Sequence, residues 1–222
     1  GSVAERNFRP HVNCVNITPD QKYLCAVDLG VDQVKIYKFN DETGKITLVD
    51  MLRCELESAP RIIKFSPDGR FAYLICELKN YISVYTYKDG PRGPVFELVQ
   101  TLSTLNEYHS KGSAACVLRF SRDWNYVLCS NAGDNSVGIF KIDRETGMLE
   151  KICILPVSGD YPKAADFFPD NRHIMALNHE SNTMTIFRIN YEKKYFSLWG
   201  KPLKVETPNC VLVSEIEEAP KQ

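Results

Sequence analysis

Residues 61–85 read Arg61-IIKFSPDGRFAYLICELKNYISVY. An apolar, alternating run (Ile62 to Pro67) meets the turn tetrad Pro67-Asp68-Gly69-Arg70, and a second apolar run (Phe71 to Cys76) follows. Alternation argues for strands. Pro presets φ, and Asp and Gly tolerate tight turn conformations. A polar stretch then leads to a third run, Ile82 to Tyr87. The same phrase recurs three times, as Asn13-CVNITPDQKYLCAVDLGVDQVKIY, Cys116-VLRFSRDWNYVLCSNAGDNSVGIF and Lys163-AADFFPDNRHIMALNHESNTMTIF. The anchoring aspartates Asp20, Asp68, Asp123 and Asp170 are separated by 48, 55 and 47 residues. Each third run ends in an aromatic: Tyr37, Tyr85, Phe140 or Phe187. A period of about 50 residues with several strands per unit describes the blades of a β-propeller. The expected fold is all-β, with about four blades of four antiparallel strands, near residues 10–58, 59–111, 112–159 and 160–214 of one domain spanning 1–222.

The fourth strand of a blade is announced by Asp41-Glu42-Thr43-Gly44-Lys45 and by Asp143-Arg144-Glu145-Thr146-Gly147, where Gly suits a left-handed hairpin position. The second blade replaces this turn with Lys88 to Pro94, which reads as a longer loop, and a second long loop runs from Ser103 to Gly112. No stretch has the pattern of an amphipathic helix. The charged tail from Glu215 to Gln222 is expected to fray.

Composition narrows the function classes. Hydrophobic residues make up 44% and charged residues 25%, as in ordinary globular proteins. Net charge is −1, with 27 basic and 28 acidic residues, so no basic footprint for nucleic acid is expected. No apolar run approaches the ~20 residues of a membrane helix. The opening Gly1-Ser2 reads as a cloning remnant. Eight cysteines lie mostly within apolar strand runs, with no CxxC pair and no zinc-finger spacing. They read as small buried hydrophobes in a reducing cytosol, so a cytoplasmic location is expected; a disulfide framework and a thiol nucleophile at Cys116 are the alternatives. No two histidines have metal-ligand spacing, and neither a metal nor a cofactor is expected. His109 and His173 read as surface residues.

Equivalent positions in the blades of a propeller converge on the axis. Seven residues before each aspartate stand Asn13, Arg61, Cys116 and Lys163; nine residues after it stand Leu29, Glu77, Ala132 and His179. Where such slots gather, a binding pocket is the default expectation. Asp32, Asn80, Asn135 and Asn182 recur in every unit and read as structural turn residues.

The motif set HxN-x5-PD…DLGxDxVxxY, APRxxxFSPDGRFAYxxxEL and SNxGxDSVxxF with DxETGxL resembles the lactonase family of seven-bladed propellers. That family includes propeller-type 6-phosphogluconolactonases and 3-carboxymuconate lactonizing enzymes. The resemblance runs from about Pro10 to Val213 and covers the last four or so of the family's blades, with Pro208-Asn209-Cys210-Val211 resembling its closing segment. It implies a ring completed by N-terminal blades not represented here, or by a second copy in a homodimer; an array of four blades that closes on itself is the other possibility. Exposed faces and strand edges of an open array need a cover.

By the same resemblance, Arg61 matches the family's Arg in Pro-Arg, and Glu77 the Glu of Glu-Leu. Lys163 stands where the family has Pro-Arg. Asn13 stands at the family's His, with His11 at a variable neighbouring position, and Ala132 replaces an Arg. The implied roles are catalysis by Glu77, Asn13 and His11, and binding of a small anionic substrate by Arg61, Lys163 and His179. A positioned carboxylate can activate water, and Asn can donate to a carbonyl oxygen. Asn cannot exchange protons near neutral pH as His can, so that role, if needed, passes to His11 or His179. Lys keeps charge but loses the two-pronged fork of Arg. The plain alternative reads Arg61 and Glu77 as a structural ion pair, Asn13 as a backbone tie, Cys116 as packing and His179 as a satisfied polar residue. Three functions follow from the resemblance: a hydrolase of a small anionic, sugar-phosphate-type lactone, a muconate-type cycloisomerase, or a non-catalytic ligand-binding or scaffolding propeller.

Overall fold

A computed structural model describes residues 9–109 and 111–214. The charged tail from Glu215 and the Gly1-Ser2 start lie outside the described residues. The four repeats are four antiparallel sheets with strands in simple meander order. Blade 1 comprises β1 (Val12–Ile17), β2 (Tyr23–Asp28), β3 (Gln33–Phe39) and β4 (Ile46–Arg53). Blade 2 comprises β5 (Pro60–Phe65), β6 (Phe71–Cys76), β7 (Tyr81–Gly90) and β8 (Gly93–Ser103). Blade 3 comprises β9 (Ala115–Phe120), β10 (Tyr126–Asn131), β11 (Ser136–Ile142) and β12 (Leu149–Pro156). Blade 4 comprises β13 (Pro162–Phe167), β14 (His173–Asn178) and β15 (Thr183–Asn190), with its outer strand split into β16 (Tyr195–Leu198) and β17 (Leu203–Lys204), both paired to β15.

Period-two alternation puts each strand's apolar residues on both faces of its sheet, because each blade is sandwiched between neighbours. Tyr23, Cys25 and Val27 of blade 1 pack against Ile63, Phe65 and Leu74 of blade 2. Phe71, Tyr73 and Ile75, on the other face of blade 2, pack against Leu118, Val127 and Phe140 of blade 3. Val117, Leu128 and Ile139 meet Ala165, Ile174 and Phe187 of blade 4. Among the described residues no apolar cluster joins blade 4 to blade 1. The consequence is visible at matched positions. Ile63 and Phe65, which face the preceding blade, are 0% and 8% exposed; their blade 1 counterparts Val15 and Ile17 are 55% and 50% exposed.

The hairpin glycines adopt the expected left-handed backbone, Gly44 at φ 67° and Gly147 at φ 74°. Blade 2 corrects one expectation. Lys88 to Pro94 is not a loop: β7 and β8 run on through Gly90 and Gly93 as a long ribbon closed at Pro91-Arg92. Asp89 at its end bonds Tyr23 Oη (2.8 Å) and Lys22 Nζ (2.6 Å) of blade 1, so the extra length clasps the neighbouring blade.

The anchoring turns share one hydrogen-bond pattern. Ser66 Oγ donates to Asp68 Oδ1 (2.6 Å) and accepts from Phe71 N (3.0 Å), while Arg70 N donates to the same carboxylate (3.1 Å). Thr18 with Asp20, and Ser121 with Asp123, repeat it. Blade 4 has Phe168 in place of the hydroxyl residue. There His173 closes the turn, its Nδ1 2.6 Å from Asp170 Oδ2. His173 is therefore half-buried and paired rather than a plain surface residue. All eight cysteines are free thiols; five are buried and Cys210 is exposed.

Candidate functional site

At the end of each blade opposite these turns, the innermost strand begins with a β-bulge. The β1–β2 ladder pairs Val12 with Asp28 and Cys14 with Val27, skipping Asn13. The corresponding ladders skip Arg61, Cys116 and Lys163. A bulge leaves its extra residue out of the ladder and re-aims its side chain. These four residues are thus the ones released from pairing to point at the axis. One further bond fixes the second set of slots. The amides of Leu29, Glu77, Ala132 and His179 donate to the carbonyls of His11, Ala59, Ala114 and Tyr161, at 3.0, 2.8, 2.8 and 3.0 Å.

The turn residues Asp32, Asn80, Asn135 and Asn182 are all left-handed, at φ 51–53°. Two of them hold the segment that leads to the next blade's bulge. Asp32 Oδ1 accepts from Ala59 N (2.8 Å), and Asn135 Oδ1 from Tyr161 N (2.8 Å). Ala59 and Tyr161 are themselves left-handed, at φ 53° and 59°, each immediately before a buried proline. Such backbone is uncommon for side chains other than Gly, Asn and Asp, and it is over-determined here by the bonds around it.

Six of the eight slots, all but Ala132 and His179, open into one cavity of about 320 Å³ at the axis. His11, Asn13, Arg61, Glu77 and Lys163 line it, together with Leu29, Cys116 and Tyr161. His179 is outside that lining; its Nδ1 lies 3.2 Å from the carbonyl of Pro208. His11 meets the cavity from an exposed position, its amide donating to the buried Asp28 (2.7 Å), which also pairs with Lys35 (3.0 Å).

Arg61 is held at two points. Its Nε donates to the carbonyl of Cys116 (2.8 Å), and its Nη1 pairs with Glu77 Oε2. The Glu77 side chain is only 4% exposed, against 30% for Arg61. The pairing anticipated as the plain alternative is therefore present, and it sits inside the cavity. Buried ion pairs of this kind are costly to break, because the remaining charge stays out of water. Lys163 has no carboxylate partner among the described residues; its Nζ lies 5.7 Å above the ring of Tyr161. Among the described residues, one cation in the cavity is thus paired with a carboxylate and one is not. Burial pushes the Cys116 thiol up to about 11, so it stays protonated at neutral pH and lines the cavity as an apolar surface. Among the described residues no three His, Cys, Asp or Glu side chains are grouped as metal ligands.

Tyr161 was not anticipated. Its counterparts in the other blades are His11, Ala59 and Ala114, so no repeat pattern marks it; the only sequence signal is an aromatic immediately before Pro162, two residues ahead of the slot. It packs against Ala114, Cys116 and Ala132 and gives the cavity an aromatic wall. A second cavity, about 260 Å³, lies between blades 2 and 3 at the turn end. The carboxylates facing it, Asp68 and Asp123, are committed to their own turns.

The family model for lactonase, 7-bladed beta-propeller, matches residues 1–213. The 6-phosphogluconolactonase of Bacillus subtilis is 27% identical over 207 residues, covering 93% of this chain and 58% of that protein. Among solved structures, the periplasmic gluconolactonase of Pseudomonas aeruginosa superposes with a TM-score of 0.84 at 26% identity, over 92% of this chain and 57% of that one. A putative 6-phosphogluconolactonase from Bacteroides fragilis gives 0.81 at 29% identity, over 93% and 58%. The chain spans little more than half the length of the curated relatives it matches, from 52% to 60%. Matched over nearly its whole length, the chain belongs to the lactonase family of seven-bladed β-propellers.

Proposed function

We propose that the axial cavity hydrolyses a small anionic lactone of the sugar-phosphate type. The observation that carries this reading is the pairing of a buried carboxylate, Glu77, with Arg61 in one cavity, beside a Lys163 that has no carboxylate partner among the described residues. An anion at Lys163 gains a charge-assisted hydrogen bond, worth ~1.5–3 kcal/mol. Arg61, fixed by Glu77 and the Cys116 carbonyl, sets the direction of the carboxylate. Glu77 takes a proton from water as its oxygen bonds to the lactone carbonyl carbon. Asn13 donates from Nδ2 to the carbonyl oxygen while negative charge builds there. The bond from that carbon to the ring oxygen then breaks. The ring oxygen accepts the proton, and the product is an open-chain hydroxy acid. Tyr161 presents a flat apolar face to the C–H side of a sugar ring.

The named relatives support the lactone class, and a lysine in the cavity with no carboxylate partner among the described residues supports a charged substrate. A muconate-type isomerisation needs a proton donor at carbon, which Asn13 cannot supply. Incubation with 6-phosphogluconolactone, followed by acid release, tests the proposal. Hydrolysis above the spontaneous rate is expected, faster than with the unphosphorylated gluconolactone, and lost in Glu77→Gln. No enzymatic rate, with 6-phosphogluconate still bound, would make the chain a ligand-binding propeller instead.

A further inference from the structure

Beyond β17, the chain repeats the approach that precedes β5 and β13. Val205 N donates to the carbonyl of Asn182 (3.0 Å), as Cys54 N does to Asp32 and Val157 N to Asn135 (both 3.0 Å). Thr207 N then donates to Asn182 Oδ1 (2.7 Å), as Ala59 N does to Asp32 Oδ1 and Tyr161 N to Asn135 Oδ1 (both 2.8 Å). Thr207 is left-handed at φ 40°, like Ala59 and Tyr161. It precedes Pro208, which is buried, as Pro60 and Pro162 are. In register, Ala59-Pro60-Arg61 and Tyr161-Pro162-Lys163 continue as Thr207-Pro208-Asn209. The chain then runs toward the turn end of the blades, where the Val213 carbonyl accepts from Arg122 Nη2 (2.6 Å). Phe65 and Phe167 hold the matching end of their strands.

From this register we infer that residues 208–213 occupy the innermost-strand position of a fifth blade, and that Asn209 is a fifth axial side chain, next in order after Lys163, which hydrogen-bonds the substrate. The inference rests on the lactonase reading of the cavity. Two features fit Asn209 to that task. Its side chain is exposed rather than packed. A carboxamide both donates and accepts, which suits a polyol hydroxyl or a phosphate oxygen beside the lysine. The adjoining Pro208 carbonyl bonds His179 Nδ1, which pins the strand at the level of the slots and explains why His179 faces the strand rather than the cavity.

Titration of the 15N-labelled chain with 6-phosphogluconate, the open-chain product, tests this. The side-chain resonances of Arg61 Nε and Asn209 Nδ2 are followed, with Asn106, bonded to the Ile154 carbonyl away from the axis, as control. Arg61 and Asn209 should shift together with one Kd while Asn106 stays still. Asn209→Ala should weaken binding about fivefold, the loss of one neutral hydrogen bond, and Asn209→Asp by more, because a carboxylate would then face the anion. Arg61 shifting while Asn209 does not, with Asn209→Asp binding as wild type, overturns the inference and leaves the lactonase reading standing. If neither resonance moves at any concentration, the lactonase reading itself fails and the inference falls with it.

Discussion

The two ends of each blade obey different rules. At the turn end, Asp20, Asp68, Asp123 and Asp170 recur in the same place and accept bonds from their own turns. At the axial end, the backbone device recurs, a bulge and a shared amide–carbonyl bond, but the side chains it presents are Asn13, Arg61, Cys116 and Lys163. Uniform residues satisfied locally are structural. Different residues presented by one uniform device are where chemistry can be written without disturbing the fold.

Substitutions at the two ends should therefore separate activity from stability, with Arg61, which pairs with the buried Glu77, as the exception. The largest effect is expected at Glu77→Gln. It should lower kcat by ~10²–10⁴-fold, the range for a positioned base, with little change in the unfolding midpoint. Loss of the midpoint and activity together would mean that the carboxylate only braces the fold. Next is Arg61→Ala, which removes the guanidinium that pairs with the buried Glu77 carboxylate. Denaturant unfolding should show a loss of ~3–5 kcal/mol, partly recovered in Arg61→Ala/Glu77→Ala. An equal loss in single and double variants would contradict a paired buried charge.

Lys163→Gln removes a cation that pairs with no carboxylate among the described residues. It should raise KM for a phosphorylated lactone by about tenfold, leaving kcat nearly unchanged and stability lower by no more than ~1 kcal/mol, since besides a charged hydrogen bond to the ligand it gives up a contact with the Tyr161 ring. An unchanged KM would place the anion elsewhere. At the turn end, Ser66→Ala should cost ~1 kcal/mol of stability and leave KM alone.

The smallest effect is a pH slope. Partial burial opposes ionisation of Asp68, Asp123 and Asp170, yet hydrogen bonds hold all three carboxyls below the usual range, from Ser66 and Arg70, from Ser121 and Asn125, and from His173 and Arg172. A carboxyl depressed on folding stabilises the fold at pH values above its unfolded pKa, ~3.9, and that stability is lost as pH falls through the folded value. Stability should thus decline below about pH 4. Asp68→Asn should flatten the slope, and an identical slope in that variant would show that the turn contributes nothing to it.

The fold was legible because its pattern is periodic. Four copies of one strand–turn–strand phrase define four sheets, and matched offsets from the aspartates locate the axial slots. The bulges were not legible, since one residue skipped in a ladder leaves no mark on apolar alternation. Tyr161 and Asn209 were missed for the same kind of reason. What positions them is a left-handed backbone at Tyr161 and Thr207, which residue type does not signal. The blade 2 ribbon was misread because Asp89-Gly90-Pro91 has turn composition, whereas its pairing is decided by the bonds from Asp89 to blade 1. Spacing alone places His179 at a slot, and spacing cannot reveal that the carbonyl of Pro208 supplies its partner.

A crystal structure with 6-phosphogluconate tests the central claim most directly. The ligand is expected in the axial cavity, its phosphate or carboxylate within hydrogen-bond reach of Lys163 Nζ and its chain alongside the Arg61–Glu77 pair. A ligand seated instead between blades 2 and 3 at the turn end, with the axial cavity holding solvent alone, would contradict it.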